Sequence, residues 1–161
     1  MRDKKEEFYD IYNEFYNVEK YKKLSNEVHH GVSRLDHIGR VAKLSFSVSK
    51  HLHMDYVSAT RGAFMHDFFT LEDFNKTGEK SSFKTHPSLA LKNAKKYFNT
   101  NSVEEDVVLK HMYPVTKERP KYKESYLVSI VDKVVSLYEV VHFKLKLNLS
   151  IAVIFLFNNL K

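Results

Sequence analysis

The stretch SRLDHIGRVAKLSFSVSKHL, residues 33–52, carries the pattern from which the fold class follows. Leu35, Ile38, Val41, Ala42, Ser45 and Val48 recur at steps of three and four, which places them on one face of an α-helix. Ser33 stands where a cap belongs, and Asp36 follows three residues later, close to a capping box. A helix is therefore expected from Ser33 to about Leu52, with that face turned to a core.

The same reading extends outward. Residues 3–24 predict a helix burying Phe8, Ile11, Tyr12, Phe15 and Tyr16, and residues 26–32 a loop. Asp55 suits the cap of a helix ending near His66–Asp67. Residues 70–84 are polar, include Gly78, and read as a long loop of the kind that forms lids. Pro87 suits the first turn of a helix over 87–98, and Ser102 with Glu105 forms a capping box for one that stops before Pro114. Helices over about 123–143 and 147–160 complete the chain. With four glycines, three prolines and no persistent strand pattern or repeat, the expectation is an all-α, single-domain bundle of six to seven helices over residues 1–161.

Composition narrows the chemistry. A chain of 161 residues with 43% hydrophobic and 29% charged residues can bury one core. The absence of cysteine excludes disulfides and thiolate ligands, so a transition metal would have to be held by imidazole and carboxylate. The net charge of +6 suits an anionic partner, although scattered lysines at 20–23, 92–96, 117–123 and 144–146 read mainly as a solvated surface. Arg2 to Glu7 do not resemble a signal peptide. The run Ile151–Phe157 is far shorter than the roughly 20 residues of a membrane span and is expected to be core or a dimer seam. A cytoplasmic protein with no membrane partner is expected, and a homodimer is compatible.

Nine histidines are present, and the placement of four of them stands out. His37 lies in the first turns of its helix, His66–Asp67 closes the next, His86 opens another, and His111 lies near the end of the one after. Asp132 sits mid-helix among Val128, Ile130, Val131, Val134 and Val135, where an unpaired carboxylate costs several kcal/mol.

In that order, His37, His66–Asp67 and Asp132 resemble the H…HD…D signature of the HD superfamily of phosphohydrolases. Arg34-Leu35-Asp36-His37 and Ala63-Phe64-Met65-His66-Asp67 have its local wording, and the likeness spans residues 29–140. His86-Pro87 and Lys110-His111 match the small branch with two added histidines and two metals. The resemblance implies that His37, His66 and Asp132 hold one ion and His86 and His111 the other, with Asp67 bridging. It also implies a metal-bound hydroxide that attacks a phosphate ester or anhydride of a nucleotide or similar small molecule. Iron or manganese suits a histidine-rich site best, with zinc, cobalt or magnesium as further options.

Arg34, three residues before His37, is the first candidate for contacting phosphoryl oxygens, with a salt bridge as the competing role. Lys84, Lys110 and Tyr113 are further substrate candidates. Lys133 is expected at the surface, Arg61 in a structural role, and His29–His30, His51, His53 and His142 at the periphery. Glu72–Asp73 falls two residues later than the HDxxED pattern of alarmone hydrolases, which counts against that substrate. A di-iron oxygenase on the same ligand set and a non-catalytic nucleotide-binding module are the alternatives. Nucleic acid is not the expected partner, because no aromatic-basic stripe supports it.

Overall fold

Asp3 opens the first helix, α1 (Lys4–Tyr16), by accepting a hydrogen bond from the Lys5 amide. The computed structural model describes residues 3–29, 31–78 and 83–159, and within them eight α-helices form an all-α bundle. The single helix expected over 3–24 is broken. The chain turns at Asn17–Val18 and continues as α2 (Glu19–Lys22) and a 3₁₀ turn (Lys23–Asn26). The turn drops Tyr21 and Leu24, both fully buried, into the core with Phe15. The Tyr21 hydroxyl then donates to the Phe64 carbonyl at 2.9 Å. Tertiary packing overrides the local period here.

Residues 26–32, expected as loop, contribute to a two-stranded antiparallel hairpin, β1 (Val28–His29) with β2 (Val32–Ser33). Gly31 within it has φ +83°, and a Cβ there would run into the Phe143 ring. Helix α3 (Arg34–His51) begins as the sequence predicts, with Ser33 Oγ accepting from the Asp36 amide. Ile38, Val41, Ala42 and Ser45 are buried, Leu35 and Val48 only half-buried, and Phe46 and Ser49 are buried as well.

Asp55 caps α4 (Tyr56–Met65), which is buried along most of its length. The expected loop after it contains a helix, α5 (Leu71–Thr77), opened by a reciprocal capping box between Thr70 and Asp73 and closed at Gly78. Helices α6 (His86–Tyr97) and α7 (Ser102–Lys110) follow. The capping box of α7 is formed by Asn101 and Glu104, one residue ahead of the expected pair. Helix α8 runs unbroken from Lys123 to Asn159, since neither glycine nor proline interrupts residues 143–147. A separate helix over 147–160 is therefore not formed. The side chains of Ile151–Phe157, with the seam expected there, lie outside the described residues, as do His30 and the side chain of His29.

Helix α3 packs on α4 and α8, α7 on α4 and α8, and α6 on α7. Beneath α4 the rings of Phe15, Phe64 and Phe98 meet at centroid distances of 4.6–4.9 Å, and each buried aromatic contributes about 1.5–3 kcal/mol of hydrophobic stabilisation. That layer fixes the C-terminal end of α4, where His66 and Asp67 sit. No helix among the described residues is long and apolar enough to cross a membrane.

Candidate metal centre

Five helices deliver side chains to one buried spot. His37 comes from the first turns of α3, His66 and Asp67 from the end of α4, His86 from the start of α6, His111 from the end of α7, and Asp132 from α8. Helix ends suit this role because consecutive residues there, such as His66 and Asp67, can leave the helix surface in one direction. All six are at most 9% exposed. The four rings form a contiguous row, with centroid distances of 5.5 Å from His37 to His66 and 5.0 Å both from His66 to His111 and from His111 to His86.

The ligand atoms fall into two groups, His37 with His66 and Asp132, and Asp67 with His86 and His111; within each they lie inside 4.8 Å of one another. Each group could hold a metal ion. The residues that the sequence places up to 95 positions apart thus meet, with His37 Nε2 3.2 Å from Asp132 Oδ1. Asp67 Oδ1 stands 3.5 Å from His86 Nε2 and 3.7 Å from His111 Nε2.

Hydrogen bonds decide which nitrogen of each ring faces inward. His66 Nδ1 donates to the Ala63 carbonyl at 2.7 Å, and His111 Nδ1 to the Val108 carbonyl at 2.8 Å. Burial pushes the pKa of His66 down, and with the charge of neighbouring His66 it pushes His111 down to about 3. Both rings are therefore neutral near pH 7, with their Nε2 lone pairs aimed into the site. His66 Nε2 is buried with no hydrogen-bond partner, and Asp132 Oδ1 is 3.8 Å away. A buried acceptor left in that state costs about 1–3 kcal/mol.

His37 and His86 differ. Burial opposes charge on His37, yet its bonds to Asp132 and Glu139 prevail and lift its pKa to about 9. His86 Nε2 lies 2.9 Å from His111 Nε2; the proton of His111 is on Nδ1, so His86 donates. Protons on these two nitrogens occupy the positions a cation would take, one in each group. Burial also works against ionisation of the aspartates, but the imidazoles around both, with Arg34 beside Asp67 and Lys133 beside Asp132, hold their pKa values well below the ordinary carboxylate range. Two buried carboxylates, an orphaned imidazole lone pair and fixed tautomers make a donor set that fits metal ions.

Two partners of the site were not expected from sequence. Glu139, 2% exposed, accepts from His37 Nδ1 at 2.8 Å and from Arg40 at 2.7 Å. It lies seven residues after Asp132, two helical turns along the same face, and a carboxylate between Tyr138 and Val140 is the signal that could have found it. Lys133, expected at the surface, instead reaches Asp132 Oδ2 at 3.1 Å and the His111 carbonyl. Its long stem lets the ammonium fold back although its Cα points away from the site.

The substrate candidates are divided. Arg34 is 5% exposed, with Nη1 3.4 Å from Asp67 Oδ2, its guanidinium 3.8 Å over the Phe69 ring, and Nε without a hydrogen-bond partner. It belongs to the site. Lys84 lines a cleft of about 450 Å³ with Pro87, Thr116 and Lys117, outside the start of α6. Lys110 is engaged by Glu118, and the Tyr113 ring packs edge-on to Tyr126 at 5.7 Å; neither is brought to the imidazoles. Arg61 holds Glu14 and Glu104, the structural role expected of it. No protein-family model, curated protein or solved structure matches the chain.

Proposed function

We propose that the chain is a metal-dependent hydrolase of HD type that cleaves a phosphate ester or anhydride bond in a nucleotide or another small phosphorylated molecule. The observation that carries this reading is the buried His66 Nε2 without a hydrogen-bond partner, at the meeting point of two His/Asp groups whose ring orientations are set from outside by carbonyls and a carboxylate. Bound there, a pair of divalent ions supplies Lewis acidity, activating water near neutral pH and neutralising charge on phosphoryl oxygens. In this reading His37, His66 and Asp132 would hold one ion, and Asp67, His86 and His111 the other.

The protein's own groups would do the remaining work. Arg34 is fixed by stacking on Phe69 and its buried Nε–H has no hydrogen-bond partner, which suits orientation of a phosphoryl oxygen. The hydrogen bond from His37 keeps Asp132 ionised against its burial, and Lys133 adds a smaller contribution.

Elemental analysis of the purified protein, followed by phosphate release from nucleotides and p-nitrophenyl phosphodiesters with added manganese, iron or cobalt, tests the proposal. Retention of metal and turnover that is lost in Asp67→Ala are expected. Failure to retain any metal overturns the metal centre. Metal retention without phosphate release, but with oxygen uptake by the iron form, overturns the hydrolase in favour of an oxygenase.

A further inference from the structure

Helix α8 presents Asp132 and Glu139 to the imidazoles on one side and an uncovered apolar stripe on the other. Ile130, Val134, Leu137, Tyr138, Val141 and Leu145 are 47–66% exposed and fall within a band of about 100° around the helix. Ile130, Val134, Leu137, Val141 and Leu145 follow one another at steps of four, three, four and four, the spacing of a helix–helix seam. Two shallow depressions indent this face. One of about 350 Å³ lies among Val134, Leu137, Val141 and Leu145, and one of about 440 Å³ between α8 and α3 is edged by Leu44.

Charge defines what fits there. Between residues 126 and 145 the only charged residues are Asp132, Lys133, Glu139 and Lys144. The first and third are buried, and Lys133 is turned to Asp132 and the His111 carbonyl. Among the described residues the exposed cations at the margin of the stripe are Lys144 on α8 and Arg40 and Lys43 on α3, fewer than the row of cationic residues that holds an amphipathic helix on lipid headgroups. A matching apolar face fits it, and a two-fold contact sets the stripe against itself.

Area agrees with that. Six large apolar side chains about half uncovered amount to roughly 400 Å². Leu44 with the stems of Arg40 and Lys43, which edge the same face, bring this to about 600 Å² per copy, the lower bound of a stable pairing. The geometry points to a homodimer in which the α8 faces of two copies pack together about a two-fold axis, so that the helix carrying Asp132 is clamped between the site and the partner.

Sedimentation equilibrium of the full chain from low to high micromolar concentration tests the pairing. The expected wild-type mass is twice the 19.0 kDa of one copy, and Leu137→Lys or Val134→Glu should give a monomer. Both positions are exposed in the single copy, so circular dichroism should show the helical content unchanged. Because the chain has no cysteine, Leu137→Cys and Val141→Cys also report directly: oxidation should cross-link one or both into dimers, and Leu52→Cys, exposed on the end of α3, should remain uncross-linked. A wild type that stays monomeric, or variants that stay dimeric, overturns the pairing. A monomer that floats with phosphatidylserine–phosphatidylcholine vesicles overturns it too, and assigns the face to a lipid surface.

Discussion

Glu139→Gln isolates the influence of an outer partner on the metal centre. The glutamate is 2% exposed and accepts from His37 Nδ1 at 2.8 Å, so its charge acts on that ring with little solvent screening. Glutamine keeps the shape and can still accept from Nδ1 through its amide oxygen. Arg40, whose side chain is 45% exposed, can swing to water once the second oxygen becomes an NH₂. What is lost is chiefly the negative charge that makes His37 a stronger donor to a cation. Loss of such a partner lowers metal affinity by about 10- to 100-fold, or about 1.4–2.8 kcal/mol. Competition against a chromophoric chelator with zinc or cobalt measures this. The group of Asp67, His86 and His111 serves as an internal reference, because Glu139 does not touch it. The expected result is weakened binding of one ion and near-normal binding of the other. Wild-type affinity at both positions in a protein that binds two ions would refute the reasoning.

The two groups should empty separately. His66→Ala removes a ligand of one group and His111→Ala a ligand of the other, so each variant should retain one ion where the wild type retains two; loss of both ions in each would mean a single merged site. Two glycines should respond with opposite signs to alanine. A Cβ at Gly39 meets nothing within 4 Å, so Gly39→Ala in mid-helix should stabilise by about 0.5–1 kcal/mol in a denaturant melt. A Cβ at Gly62 would lie 2.7 Å from Val107, so Gly62→Ala should destabilise by about 1–3 kcal/mol through forced separation of α4 and α7; equal effects would contradict the packing. Burial works against ionisation of Asp73, but Lys20, Thr70 and Asn93 outweigh it and keep its pKa below the ordinary value. Its stabilisation is therefore complete above the unfolded pKa of about 3.9 and is lost as pH falls through the folded value. The wild type should melt above Asp73→Asn at pH 6, and the gap should close below about pH 4; a gap that ignores pH would contradict this.

The all-α class was legible because α3, α6 and α7 each bury one face, and α3, α4, α6 and α7 carry Ser, Asp, Pro or capping-box signals at the start, which are local features. The six clustered residues were legible in part for the same reason: polar groups at helix ends, and one aspartate inside a valine-rich helix, are costly unless they meet something. What the sequence could not supply were features created by contact between distant segments. The turn at Asn17–Val18 exists because Tyr21 is needed under Phe64, not because the local residues stop a helix. Helix α5 was hidden because its opening box, Thr70 with Asp73, is short and polar, and its stability comes from Lys20 and Asn93 elsewhere in the chain. Glu139, Lys133 and the inward-facing nitrogens of the histidines belong to the same category. Local pattern determined that helices would form and which faces would be apolar. Only the tertiary structure decided which helix ends meet, because that depends on side chains packing across the bundle, where the nearest neighbours in space are far apart along the chain.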